Sequence, residues 1–235
     1  MGEEYDRIGA LIAGLDQADK KAVRAAVDAL TSMSAAAPEI AEKLRAALAA
    51  APAEKRWPIA YALAEIAPLS EPCLEALEAA LDFADPDIRW AVALLLVRLA
   101  KKPGAGAGAR LIDLCKNGTP AQRRMALYCL RDIGAPELIA APAAAALADP
   151  DPLVRVAAAG SLRTFPAVAE NLTEILAVLV AGDPDARVRA GAAIALGYLE
   201  APGEKVLQAL ETATRSGEPN LAKAARAALE NLRKR

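Results

Sequence analysis

Histidine is absent from the 235 residues. That single absence removes Ser-His-Asp and Cys-His catalysis, His-ligated metal sites and imidazole proton shuttles together. Aromatic residues are scarce, at 3%: two Trp, four Tyr and two Phe. The three cysteines, Cys73, Cys115 and Cys129, are odd in number and form no C-x-x-C pair. They indicate neither a disulfide framework nor a zinc knuckle, and they suit a reducing cytoplasm. No metal or cofactor is implied. Neither sign of charge is in surplus: 28 Lys plus Arg stand against 30 Asp plus Glu, a net of -2. This provides no global field for a nucleic acid or an anionic membrane, and nucleic acid is disfavoured as a partner. Long apolar runs are missing too. The longest, Leu138 to Ala148, contains Pro142 and ends at Asp149, short of the roughly 18 to 20 residues a bilayer requires. No membrane span is expected. The acidic start, Met1 to Asp6, lacks a basic n-region and a myristoylation Ser or Thr, so the chain is expected to stay in the cytoplasm.

What the chain has is alanine, about a quarter of its residues, within an apolar fraction of 55%. Apolar positions recur at steps of three and four rather than two, which predicts helices throughout and no strand. Asp85-Pro86, Thr119-Pro120, Asp149-Pro150 and Asp183-Pro184 each set a capping residue before a proline suited to a first helical turn, so each predicts a helix start.

The segments after these starts superimpose. Arg56, Arg89, Arg123, Arg155 and Arg189 stand 33, 34, 32 and 34 residues apart, and the frame extends to Val23 and Ala222. Seven residues beyond each frame position stands a leucine: Leu30, Leu63, Leu96, Leu130, Leu162, Leu196 and Leu229. Three residues beyond it stand Ala26, Ile59, Val92, Ala126, Ala158, Ala192 and Ala225. Together they form one helical stripe. A second helix-like segment precedes each stripe: Glu3 to Leu15, Pro38 to Leu48, Glu71 to Leu81, Gly108 to Cys115, Pro136 to Leu147, Ala169 to Leu179 and Pro202 to Thr214. Such short helix pairs cannot bury an apolar face alone. The sequence therefore predicts an all-α, right-handed α-solenoid of about seven stacked helix-turn-helix repeats, filling residues 1–235 as one domain.

Asp151-Pro152-Leu153-Val154-Arg155-Val156-Ala157-Ala158-Ala159 and Asp183-Pro184-Asp185-Ala186-Arg187-Val188-Arg189 resemble HEAT repeats of the bilin-lyase-like class, and the resemblance spans nearly the whole chain. It implies a convex layer of first helices and a concave layer of second helices. It also implies a ladder in which turn aspartates meet the frame arginines of the same or adjacent repeats, a pattern that Asp85 with Arg89, Asp151 with Arg155 and Asp185 with Arg189 match. The first, second, fourth and last registers depart from that pattern, so the ladder is expected to break there.

With positions 0, 3, 4, 7 and 11 of the second helix in the core, 100° per residue sends positions 2, 5, 6 and 9 toward solvent, flanked by 1 and 8. Position 1 holds Arg24, Trp57, Trp90, Arg124, Val156, Ala190 and Lys223; position 5 holds Asp28, Tyr61, Leu94, Tyr128, Gly160, Ile194 and Ala227. Both tryptophans and three of the four tyrosines fall in these columns or at position 9. Aromatic and arginine side chains anchor protein interfaces because they bury area with little rotamer loss. The expected site is a groove with Trp57, Tyr61, Trp90, Leu94 and Tyr128 as floor and Arg98, Arg124 and Arg131 as rim, binding a protein or peptide. The bland alternative packs the tryptophans between helices.

Other signals carry less. The G-x-G-x-G within Lys101 to Gly108 follows no strand and reads as a connection. Pro58 and Pro142 are expected to kink their helices. Glu71, Glu75 and Glu78 follow helical spacing on an outer face. Cys115 and Cys129 read as core fillers. The function expected is a non-catalytic interaction or scaffold module. The alternative implied by resemblance is a HEAT-like enzyme in the same groove, of bilin-lyase or DNA-glycosylase type. An iron-dependent hydroxylase of the same family is excluded by the missing His ligands.

Overall fold

The computed structural model describes residues 2–16, 20–33, 36–102, 106–200 and 202–234, and among them regular structure is helical. The chain divides into two compact units, Met1–Ala107 and Gly108–Arg235. The first holds α1 (Gly2–Gly14), α2 (Lys20–Ser32), α3 (Ala37–Ala50), α4 (Arg56–Ile66), α5 (Glu71–Ala80) and α6 (Pro86–Ala100). The second holds α7 (Ala107–Asn117), α8 (Pro120–Ile133), α9 (Pro136–Ala146), α10 (Pro152–Leu162), α11 (Pro166–Glu170), α12 (Thr173–Gly182), α13 (Ala186–Leu196), α14 (Glu204–Thr214) and α15 (Pro219–Arg233).

Each unit is a stack of helix-turn-helix hairpins, as the repeat spacing predicts. In the first, α2 packs on α1 and α4, and α3 on α4 and α5; in the second, α10 packs on α8, α9 and α13, and α13 on α12 and α15. The residues at position 3 are buried in all seven registers. The leucines at position 7 are buried in six, and Leu229 on α15 is half-buried. A fully buried leucine contributes roughly 2 kcal/mol of apolar transfer. The small column at position 3 contributes less by burial and lets the helices approach closely.

Local chemistry explains where the helices start. Thr119 accepts from the Gln122 N–H at 3.2 Å while the Gln122 side chain accepts from the Thr119 N–H at 2.9 Å, a reciprocal cap at the head of α8. Asp85 likewise accepts from Asp87 ahead of α6. Two expected starts move by two residues. α10 is capped by Asp151, not Asp149, and α13 by Asp185, not Asp183. In both turns the earlier aspartate accepts from the backbone N–H of the later one, at 2.8 Å. The continuous segment expected from Ala169 to Leu179 is broken at residues 171–172, between α11 and α12. Pro58 stands in the first turn of α4, where its missing N–H has no intrahelical partner to lose; Pro142 does stand inside α9. Of the three glutamates assigned to an outer face, Glu71 and Glu75 are exposed and Glu78 is buried.

Of the two pairings the ladder allowed, within a repeat or between adjacent repeats, the structure takes the second, which corrects the three within-turn pairs expected. Arg123 does not meet an acid of its own turn. Its Nε and Nη2 donate to Asp149 at 2.7 and 2.8 Å, and Arg155 takes Asp183 in the same two-pronged way at 2.8 and 2.9 Å. Arg189 reaches Glu218. Each of these three frame arginines therefore binds the acid of the following repeat's turn, while its Nη1 donates to a carbonyl of its own turn: Arg123 to Gly118, Arg155 to Asp149, Arg189 to Asp183. A link from Arg123 to Glu218 runs unbroken through the second unit, including the fourth register where a break was expected. Asp85, Asp151 and Asp185 serve as helix caps instead. In the first unit Arg89 donates to Phe83 and Ala84 carbonyls and Arg56 to the Ala51 carbonyl.

Candidate functional site

A step of four residues turns a helix by 400°, so positions 1, 5 and 9 form a slanting ridge along each second helix. This ridge stays at the surface. Positions 2 and 6, also expected in solvent, are largely buried: Pro58, Met125, Ala157 and Ala224 at position 2, and Ala62, Leu95, Cys129, Ser161, Ala195 and Ala228 at position 6. The physical reason is packing on several sides, by the first helix of the pair and by the second helices of neighbouring repeats.

In the first unit the ridges carry Arg24, Asp28 and Ser32 on α2, Trp57, Tyr61 and Glu65 on α4, and Trp90, Leu94 and Arg98 on α6. Trp57 and Tyr61 are half-buried, whereas Trp90 is 42% and Leu94 62% exposed. The two tryptophans, equivalent by register, therefore differ in access. Trp90 and Leu94 stand one turn apart and face outward together. Arg98 pairs with Glu65, joining the ends of α6 and α4. At 53% exposure for the arginine side chain, such a pair stabilises by about 0 to 1 kcal/mol.

The other three candidates, Arg124, Tyr128 and Arg131, lie on α8 in the second unit and are half-buried. The Arg131 guanidinium sits 5.1 Å from the centre of the Tyr128 ring, and its Nε donates to Asp132 at 2.7 Å. A second stack of this kind was not among the candidates: Arg163 lies 5.9 Å from the Tyr198 ring. The signal for it was present, since position 8 of one repeat and position 9 of the next meet across the helix stack. Farther along, Ile194 of α13 is 38% exposed.

Burial pushes the Cys73 thiol up to about 11 and those of Cys115 and Cys129 up to about 12. Thiols so shifted are poor nucleophiles at neutral pH. Cys73 and Cys129 are buried, as core fillers should be, and Cys115 is half-buried. Among the described residues no group of three Cys, Asp or Glu side chains gathers as a metal site, and no helix is long and apolar enough to cross a membrane.

The HEAT repeat family profile matches residues 140–230, the stretch that contains the Arg155, Arg189 and Ala222 registers. Residues 140–230 carry HEAT repeats. No curated protein matches it. Among solved structures, an engineered protein aligns over 97% of both chains at 19% identity with a TM-score of 0.50. A second engineered protein aligns over 96% of this chain and 68% of its own at 20% identity, with a TM-score of 0.53. A designed armadillo repeat protein, solved with the peptide (KR)4, aligns over 95% and 98% at 17% identity and 0.49. At these identities the likeness concerns the fold alone.

Two open clefts lie beside the HEAT turns of the second unit. One of about 880 Å³ is lined by Arg189, Lys205, Thr212 and Glu218, and one of about 620 Å³ by Leu147, Ile175, Val178 and Leu179 above Arg155 and Asp183. The ladder charges at their floors pair with one another, Arg155 with Asp183 and Arg189 with Glu218, while the Arg189 Nε is buried without a hydrogen-bond partner.

Proposed function

We propose that this HEAT-repeat protein is a non-catalytic interaction module that docks a protein or peptide on the ridges of its second helices. The observation that carries the reading is the exposure of Trp90 and Leu94, one turn apart on a helix capped by Asp85. A large aromatic and a leucine held outward on an ordered element offer anchor area at small entropic cost. Trp57 and Tyr61 on α4 extend the apolar surface within the same unit. The absence of histidine and the raised thiols support a role without catalysis. The reading includes a reducing compartment such as the cytoplasm, which three free thiols support.

Replacing Trp90→Ala together with Leu94→Ala tests it. Affinity purification from the native host with quantitative mass spectrometry should show partners lost from the variant, while circular dichroism shows an unchanged helix content and melt. An unchanged partner set on a folded variant would remove the ridge of α6 as a docking surface.

A further inference from the structure

The second unit carries a pattern of charge that the whole-chain balance hides. Arg131 lies over Tyr128 and Arg163 over Tyr198. Arg131 and Arg163 share frame position 8 on α8 and at the end of α10, helices that pack against each other, which sets them about 10 Å apart. Arg124 stands two turns before Arg131 on α8, about 10 Å along the axis. Asp132 is the carboxylate on this strip, and Arg131 already holds it at 2.7 Å. Among the described residues no carboxylate lies within ion-pair distance of Arg124 or Arg163, in contrast to Arg123 and Arg155 in the ladder. Of the three guanidinium groups, therefore, one holds a carboxylate and two hold none, in a chain whose net charge is -2.

We propose that the strip formed by Arg124, Arg131 and Arg163 with Tyr128 and Tyr198 receives an acidic peptide segment of a partner protein. The proposal rests on the docking reading above and specifies the chemistry of what docks. A guanidinium lying on an aromatic face is weakly hydrated and held in few rotamers, yet keeps terminal N–H groups for a carboxylate fork. Burying a partner's Asp or Glu there costs less desolvation than at a flexible lysine. Exposed Ile194 and half-buried Val156 lie at the ridge positions of the following repeats, so apolar residues interspersed among the acids fit the same surface. A nucleic acid strand fits less well, because each tyrosine ring already carries a guanidinium where a base would stack.

Fluorescence anisotropy with the full chain tests this. The probes are a labelled peptide Asp-Glu-Leu-Glu-Asp-Leu-Glu-Glu, its Asn/Gln counterpart and a single-stranded oligo-dT. The acidic peptide should bind, weaken steadily with added salt, and lose at least about tenfold in affinity with Arg124→Glu plus Arg163→Glu. Arg163→Lys, which keeps the charge and the fold but not the fork, should lose affinity several-fold. Equal binding of the Asn/Gln peptide would overturn the acidic assignment and leave the docking reading standing. Failure of the acidic peptide to bind even at low salt would also overturn it, while the Trp90 and Leu94 experiment judges docking separately. Tighter binding of oligo-dT would overturn it in favour of nucleic acid.

Discussion

Removing Arg155 tests the ladder that holds the second unit together. Its guanidinium makes two hydrogen bonds to Asp183, at 2.8 and 2.9 Å, and one to the Asp149 carbonyl at 2.8 Å. The Asp183 side chain is 3% exposed and that of Arg155 11%. Hydrogen bonding to Asp183 raises the Arg155 pKa further, so the guanidinium stays charged. Arg155→Ala leaves the buried carboxylate with the Asp185 N–H as its remaining bond. Stripping one partner from a buried pair costs about 3 to 5 kcal/mol. The open cleft beside Asp183 admits water and favours the lower figure, about 3 kcal/mol, or a fall of roughly 10 °C in Tm for a unit of this size. Urea denaturation of Arg155→Met, Asp183→Asn and the double variant isolates the pair. Their coupling should reach about 2 kcal/mol, and the double variant should recover most of the loss, because no buried charge is then left without its counter-charge. Arg187→Ala, which breaks the exposed pair with Asp185, should leave the melt almost unchanged. A coupling below about 0.5 kcal/mol would reduce the Arg155 pair to an ordinary surface contact and refute the reasoning.

Glycine provides a sharper test of packing. A Cβ at Gly197 would approach the Ala228 backbone to 2.6 Å, whereas at Gly191 the nearest atom is 3.7 Å away. Gly197→Ala should destabilise by about 1 to 3 kcal/mol through displacement of α15, and Gly191→Ala, inside α13, should stabilise by up to about 1 kcal/mol; calorimetry showing the same sign for both would contradict the close approach. The thiols predict a pH dependence. Their folded values lie above the ordinary one, so the unfolded chain ionises first and stability falls as pH rises from about 9 toward 11 to 12. Native protein at pH 8 should accordingly resist a thiol reagent that labels all three cysteines in denaturant, and fast native labelling of Cys73 or Cys129 would show that they are not buried.

The repeat was legible in the sequence because a leucine column at fixed spacing has one economical explanation, and the position 3 column is buried in every register. The helix starts at Asp151 and Asp185 were not, because Asp149-Pro150-Asp151 and Asp183-Pro184-Asp185 each offer two possible caps. The choice is made by the neighbouring repeat. Asp149 and Asp183 are drawn into the ladder by Arg123 and Arg155, leaving the later aspartates to cap. The exposed ridge was read too broadly for a related reason: helical periodicity fixes which residues share a face, but the number of packed neighbours fixes how wide the free face is. Positions 2 and 6 lost their solvent to adjacent hairpins, and positions 1 and 5 kept it.

Arg123 and Arg124 show how that geometry sorts residues of identical chemistry. They are adjacent in sequence, and one step of 100° separates them on α8. Arg123 turns into the space between hairpins, where its side chain is 15% exposed and its Nε and Nη2 are held by Asp149. Arg124 turns onto the ridge, where no described carboxylate meets it. The first arginine can contribute only to cohesion, since recruiting it for a ligand would strip a buried aspartate. The second contributes nothing visible to cohesion and is free to meet a partner. The same division separates Arg155 from Arg163 along α10. Regular spacing of arginines in a stacked repeat thus marks structure at the frame position, and the arginines that depart from it are the ones left available for the proposed recognition.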